Sequence, residues 1–177
     1  MPDSLIRAGM QHRCLQRRSP VTNPPIEEYL STQEFFSALS PDFIGFLARC
    51  ASERQIAPGQ VLFRQGERAR HFYLIRNGSI AIEIPAITGP TLTVQSLGAG
   101  QILGWSWLIP PYTWNFQARA EAQTALLAFD GAAVLARCEE EPRFGYALLK
   151  RFASLMAERL GVARQRMMDQ WNPPGFA

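Results

Sequence analysis

The side chains that most often carry out catalysis are sparse in this sequence. Its two histidines are His12 and His71, and its three cysteines are widely spaced at positions 14, 50 and 138. No serine, aspartate or cysteine accompanies either histidine at a catalytic spacing, and the cysteines form no CxxC pair that would indicate a zinc site or a disulfide framework. We therefore expect no enzyme activity, no metal and no cofactor, and we expect reduced, structural thiols.

The most distinctive cluster of side chains is the segment 104–116, which is rich in aromatic residues. It holds Trp105, Trp107 and Trp114 as well as a tyrosine and a phenylalanine, and Ser106 adds a polar group. Aromatic rings of this kind either enclose a planar ligand or fill a pocket with protein. The residues alone do not decide between these uses. Enclosing a ligand would make the segment a small-molecule site, and filling the pocket would make the domain a rigid scaffold.

Charge and hydropathy argue against nucleic acid and membrane. The 18 basic and 15 acidic side chains leave a net charge of only +3, which is too small an excess to indicate nucleic-acid binding. No apolar run approaches the roughly 18 residues that cross a bilayer, and the first 20 residues lack the apolar centre of a secretory signal. We expect a cytoplasmic protein with no membrane contact.

Regular turn signals between residues 54 and 130 predict an all-β unit. Short apolar and β-branched runs alternate there with glycine-containing turns, a pattern typical of a roll or sandwich. The run 72–75 is predicted to pair with 79–84 as a hairpin, because Asn77-Gly78 supplies the positive φ angles of a tight turn.

Helices are predicted on both sides of this unit. A capping-box pattern at 31–34 and the sequence Ser40-Pro41-Asp42 predict short helices over 32–38 and 41–51. Asp130 can cap a helix over 131–139, after which Pro142 opens a long helix to about Asp169.

The long helix carries an apolar stripe at steps of three and four residues. One side of the helix is predicted to pack on the β unit, and the stripe is predicted to pair with a second copy as a homodimer: Leu149, Phe152, Met156, Leu160, Ala163 and Met167. We interpret the arginines of the helix as a solvated face: Arg151, Arg159, Arg164 and Arg166.

Four segments are predicted along the chain. They are a flexible basic arm over 1–25, the β unit with its N-terminal helices over 26–141, the C-terminal helix over 142–171 and a tail over 172–177. For the arm, a short basic amphipathic helix from Leu5 to Leu15 is the alternative.

Three stretches together resemble the regulatory domain of the catabolite activator protein family, which also occurs in cyclic nucleotide-dependent kinases and channels. They are APGQVLFRQGE at 57–67, FYLIRNG at 72–78 and LGAGQILG at 97–104. The resemblance covers about residues 32–170. It implies a mainly β fold with flanking helices: a double-stranded β-helix, or jelly-roll-like β-roll, with a long C-terminal helix.

The resemblance also implies a regulatory or sensor module, not an enzyme. The family's transcription factors continue after the long helix into a helix-turn-helix domain, whereas this sequence stops at Ala177. We therefore expect a stand-alone member that binds no DNA sequence directly and whose response passes through a protein partner.

In the resembled family, a short helix and loop bind the cyclic phosphate, and this cassette falls on 104–116. The family's ribose-binding glutamate is replaced by Trp105, and its phosphate-binding arginine falls at about Trp114. Losing a charge-assisted bond typically leaves about 1.5–3 kcal/mol unrecovered. The resemblance thus implies a degenerate cassette and a ligand other than cyclic AMP or cyclic GMP bound in the usual way.

The candidate ligand-binding residues follow from this cassette: Gly104, Trp105, Ser106, Trp107, Trp114, Asn115, Phe116 and Arg119. Arg119 either replaces the family's arginine as a phosphate ligand or points to solvent. Its alternation with two alanines along a strand favours the solvent-facing orientation. Our first hypothesis is a small-molecule sensor that signals through its C-terminal helix. A ligand-free interaction scaffold or dimerisation module is the second, and retained cyclic nucleotide binding is the third.

Overall fold

The computed structural model describes residues 24–86 and 91–170. Residues 1–23 of the predicted arm lie outside the described residues, as does the predicted tail. Residues 24 and 25, which were assigned to the arm, belong to the first helix. The elements are α1 (Pro24–Ser31), α2 (Pro41–Cys50), β1 (Ala51–Ile56), β2 (Val61–Phe63), β3 (His71–Asn77), β4 (Ile80–Ile84), β5 (Leu92–Leu97), β6 (Ile102–Leu103), β7 (Gln117–Ala120), β8 (Thr124–Asp130), α3 (Gly131–Glu140) and α4 (Pro142–Gln170).

The strands form two four-stranded antiparallel sheets in the orders β1-β8-β3-β6 and β2-β7-β4-β5. Strand β3 is buried on both faces because successive side chains point to opposite sides of a sheet. Phe72 faces the helices and contacts Phe152 of α4, whereas Tyr73 faces the interior of the roll and Phe63 of β2. This is the jelly-roll-like β-roll with flanking helices that the sequence predicted.

The predicted hairpin between 72–75 and 79–84 is wrong. Strand β3 pairs with β8 and β6, and β4 pairs with β5 and β7, so the two strands belong to different sheets. Gly78 does have a positive φ of 87°, and an added Cβ would collide with Thr124. The turn therefore carries the chain from one sheet into the other, and burial of β3 between two partners decides its pairing.

The helix starts predicted at Ser40 and Asp130 are confirmed. The backbone N–H of Phe43 donates to the Ser40 hydroxyl at 3.4 Å, and the Asp130 carboxylate caps α3. The predicted helix over 32–38 is wrong, because Ser31 ends α1 and only a 3-10 turn follows over Glu34–Phe36. Its two adjacent phenylalanines are both buried; Phe35 packs on Phe152 of α4, and Phe36 packs on Phe129 of β8.

Helix α4 docks on the roll through its first half. Phe144, Leu148 and Phe152 are fully or almost fully buried at steps of four residues. Arg151 donates to the carbonyl oxygens of Glu34 and Phe35 and so ties α4 to the 3-10 turn. Its interpretation as a solvated side chain is therefore wrong. None of the helices over the described ranges combines the length and apolar character required to cross a bilayer.

Candidate functional site

A cleft of about 260 Å³ separates the second sheet from the far part of α4. Its walls come from strands β2, β4 and β5, from the segment 103–116 and from α4. Most of the walls are apolar, and Arg159 is the one charged side chain among the described residues that line it. The lining residues are Phe63, Ile82, Val94, Gln95, Leu103, Gly104, Trp105, Ser106, Trp114, Asn115, Phe116, Met156, Arg159, Leu160, Val162 and Ala163.

Six of the eight predicted ligand-binding residues line this cleft together: Gly104, Trp105, Ser106, Trp114, Asn115 and Phe116. Trp107 does not. Its indole is buried between the first sheet and α4, at a ring-centroid distance of 5.1 Å from Phe72 and 5.6 Å from Phe152. The two tryptophans that lie two positions apart in the sequence therefore occupy different places: Trp105 lines the cleft, and Trp107 is part of the core.

Trp114 forms a buried wall of the cleft. Its indole is 5% exposed and stacks on Phe63 at a centroid distance of 3.7 Å and an interplanar angle of 10°. A Cβ added to Gly104 would lie 2.7 Å from the same indole, so the ring fits only because residue 104 has no side chain. Gly104 also has a φ of 92°, which favours glycine. Position 114 therefore supplies apolar surface, and the cleft stays open beside it.

Arg119 lies away from the cleft and is paired. Its Nε donates to the Glu83 carboxylate at 3.2 Å, and one terminal nitrogen donates to the Gly59 carbonyl oxygen at 3.0 Å. Glu83 is buried and also accepts from Gln117 at 2.9 Å. A buried carboxylate requires such partners. Arg119 is therefore not a substitute phosphate ligand at the cleft, whereas 38% of its side chain is exposed to solvent, in the direction that its alternation with two alanines predicted.

Arg159 is a residue of the candidate site that the sequence interpretation missed. It is 9% exposed and lines the cleft, where its Nη2 donates to the Ile102 carbonyl oxygen at 3.0 Å. Its Nη1 lies 3.4 Å from the Gln95 side-chain oxygen. Its buried Nε has no hydrogen-bond partner among the residues that the structure describes. Burial lowers the pKa of this guanidinium, which nevertheless stays charged because arginine deprotonates only far above neutral pH.

A signal for Arg159 was present in the sequence. Steps of four, four, three and four residues connect Phe144, Leu148, Phe152, Leu155 and Arg159, so the arginine continues the stripe that packs on the roll. Its interpretation as part of a solvated face is wrong for that reason. The arginines at 164 and 166 are exposed, as that interpretation expected.

The six residues predicted to form a dimer seam separate into three environments. Leu149, Leu160 and Met167 are exposed at 49%, 71% and 69%, and Leu160 also contributes to the wall of the cleft. Phe152 is buried in the core of its own chain and is therefore unavailable to a second copy. Met156 and Ala163 are half-buried and line the cleft.

A second, wider cleft of about 650 Å³ lies at the start of α3. Arg68, Arg70 and His71 line it, and Asp130 is also there but is committed to capping α3. Burial, assisted by the positive charge of Arg54, lowers the pKa of His71. Over residues 24–86 and 91–170, no group of three or more His, Cys, Asp or Glu side chains could hold a metal ion.

Comparison with known proteins identifies the roll. The family model described as "Cyclic nucleotide-binding domain" matches residues 53–141, half of the chain. A protein of Rhodopseudomonas palustris described as a potassium channel is 32% identical over 108 residues, which are 60% of this chain and 26% of that protein. The chain thus spans about a quarter of this curated relative.

Two solved structures share the fold. A protein from Geobacter metallireducens described as cyclic nucleotide-binding has a TM-score of 0.69 and 26% identity, over 76% of this chain and 97% of that one. The catabolite activator protein of Thermus thermophilus has a TM-score of 0.62 and 25% identity, over 75% of this chain and 61% of that one. The resemblance inferred from the three sequence stretches is confirmed, and the chain belongs to the cyclic nucleotide-binding domain family as a Crp-like regulatory β-roll.

Proposed function

We propose that this domain is a non-enzymatic sensor that binds a small molecule in the cleft and signals through α4. The molecule is one other than cyclic AMP or cyclic GMP held in the family's usual way. One observation carries the proposal: α4 itself forms one wall of the cleft, to which it contributes Met156, Arg159 and Leu160. A ligand there contacts both the roll and the helix, so its binding energy can shift the position of the helix.

The cassette side of the cleft supports a ligand other than a cyclic nucleotide. A phosphate is bound best by a charged, two-pronged donor such as arginine. The cassette instead presents Trp105 and Trp114, and Trp114 is held in place by Phe63 and Gly104. Planar or apolar groups fit such walls, because aromatic faces stack on them.

The uneven docking of α4 supports its role as the moving part. Buried apolar contacts anchor its first half as far as Phe152. Beyond that point Arg159 is the buried residue among those described, whereas Leu160 and Met167 are exposed. Regions with few buried apolar contacts open at low free-energy cost. A ligand that adds contacts on the cleft side of this half would therefore order it.

The first experiment is thermal denaturation of the purified protein with cyclic AMP, cyclic GMP and a panel of metabolites. A ligand at 100 times its Kd adds about 2.7 kcal/mol, which corresponds to about 5–11 °C in Tm for a chain of this size. We expect the Tm to stay unchanged with both cyclic nucleotides and to rise with another compound. A rise with cyclic AMP would contradict the proposed ligand class.

A double variant, W105E with W114R, complements this experiment. It restores the two side chains that the family resemblance implies at the phosphate and the ribose. Some gain of cyclic AMP affinity is expected, provided the variant folds by circular dichroism. If the folded variant gains none, the alignment of the cassette is incorrect.

The second candidate function is a ligand-free protein-interaction scaffold or a dimerisation module. The exposed stripe Leu149, Leu160 and Met167 favours it, because large apolar side chains repeated along one helix face gain by burial. Light scattering of the wild type should show a dimer that M167E dissociates. A pure scaffold would show no stabilisation by any compound, and S106A would leave it unchanged. A wild-type monomer at high concentration would exclude the dimer.

The proposal also includes a protein partner that binds α4 and a cytoplasmic location. A partner would bind the exposed side of α4, which carries Leu149, Leu160 and Met167. The thiols of Cys50 and Cys138 are free, which is in keeping with a reducing compartment.

A further inference from the structure

Arg159 is a buried cation in an otherwise apolar cleft. Its side chain comes from α4 and is nine-tenths buried. Around it the cleft is lined by apolar groups such as Leu103, Trp105 and Met156, and the polar lining is confined to Gln95, Ser106 and Asn115. The cleft therefore carries one positive charge among its described residues.

The hydrogen bonds of Arg159 leave this charge without a counter-ion. A guanidinium has five N–H donors. Its acceptors in the structure are the Ile102 carbonyl oxygen and, at 3.4 Å, the Gln95 side-chain oxygen, and both are neutral. Its Nε has no partner among the described residues. The adjacent Glu158 carboxylate acts on Arg159 electrostatically, but the four ion pairs found among the described residues do not include Arg159.

The other buried charge of the roll shows how the fold treats such groups. Glu83 is buried to a similar degree, and it is satisfied by Arg119 and Gln117. Burying an ion without an opposite charge is costly, and proteins normally pair it. An unpaired Arg159 at the wall of an open cleft is therefore poised to receive an anion from outside the chain.

We propose that the ligand of the cleft is an apolar molecule with one carboxylate-type anionic group, and that Arg159 binds this group. The inference rests on the proposed function and specifies the ligand of that same site. The cleft of about 260 Å³ is larger than the roughly 150 Å³ cavity that holds one benzene ring, and smaller than pockets of about 300–1,000 Å³ for drug-sized ligands. A two-ring aromatic acid or a medium-chain fatty acid has the required bulk.

This geometry places recognition of the charge on the helix, whereas the roll and the helix share the recognition of the apolar body. Arg159 belongs to α4, whereas Phe63, Trp105 and Trp114 belong to the roll. A ligand with both features binds Arg159 and packs on the roll, whereas a neutral analogue contacts α4 only through apolar side chains such as Met156 and Leu160. The anionic group therefore adds the polar contact between the ligand and α4, and it strengthens the coupling of binding to the helix.

The test compares two probes that differ in charge: 2-naphthoate and 2-naphthylmethanol. Isothermal titration calorimetry is carried out at pH 7.5 on the full chain, on R159Q and on R166Q, whose exposed arginine on the same helix serves as the matched control. We expect the wild type and R166Q to bind the carboxylate about 10- to 150-fold more tightly than the alcohol. R159Q should lose this preference and keep its affinity for the alcohol to within about threefold.

The outcomes separate this inference from the proposed function. Equal affinity for both probes in the wild type, or a carboxylate preference that survives in R159Q, would overturn the role of Arg159 and leave a small-molecule cleft in place. If neither probe binds the wild type, the ligand class proposed here is overturned, whereas the proposed function is tested separately by the thermal denaturation panel. Should R159Q not fold, the wild-type comparison still decides, and R159K should keep a reduced preference because lysine retains the charge without the planar fork.

Discussion

Replacing Phe152 by alanine tests how α4 is held on the roll. The ring is fully buried, and it meets Phe35, Phe72 and Trp107 at centroid distances of 5.1, 5.4 and 5.6 Å. Removing a buried phenylalanine side chain costs about 3–5 kcal/mol, because the transfer energy is lost and a cavity remains. At about 2–4 °C per kcal/mol for a chain of this length, the Tm of F152A should fall by about 6–20 °C.

The control lies on the same helix. Lys150 is exposed and is not a member of the apolar stripe, so K150A should change the free energy of unfolding by no more than about 0.5 kcal/mol. Urea denaturation followed by circular dichroism measures both variants, and an unchanged m-value shows that the loss is one of stability alone. A loss below about 1 kcal/mol in F152A, or equal losses in the two variants, would refute the docking of α4 described above.

Three further predictions follow from single contacts. G104A should lower the Tm and narrow the cleft, because the new methyl meets the indole behind it, whereas G98A, with open space at its Cα, should not; equal Tm values would contradict the packing. R119A should cost about 1–3 kcal/mol in urea denaturation by leaving the Glu83 carboxylate short of a partner, and E83Q in the same chain should recover part of that loss. Because burial lowers the pKa of His71 in the folded state, the unfolded chain takes up the proton first and stability falls as pH drops below about 6.5; H71Q should have a shallower dependence between pH 7 and 5.5, and an unchanged slope would count against it.

The parts of the fold that the sequence predicted are those set by neighbouring residues. A capping hydroxyl at Ser40, a capping carboxylate at Asp130 and a long apolar period after Pro142 act within one or two helical turns. The pairing of β3 is a long-range matter. Its Asn-Gly turn carries the expected backbone angle, yet the strand is placed by β8 and β6, which lie far along the chain.

The candidate site divides in the same way. The cassette is contiguous in sequence, so its resemblance to a known family located most of one wall at once. The opposite wall belongs to α4, about 50 residues later in the chain. Its arginines were interpreted as solvated because they are charged, without regard to which face of the helix each one occupies. Arg159 differs from Arg166 in lying on the buried stripe of α4, a distinction that helical spacing contains and residue type does not.

The contact between Gly104 and Trp114 also gives the molecule a built-in spectroscopic reporter. The indole lies where a Cβ of residue 104 would stand, so one α-hydrogen of this glycine points at an aromatic ring. The ring current of the indole displaces the resonance of that hydrogen from the range of ordinary glycines. Because both residues line the cleft, a molecule that enters and tilts the indole changes the field at one identifiable nucleus, and occupancy of the cleft becomes readable by nuclear magnetic resonance without any label on the ligand.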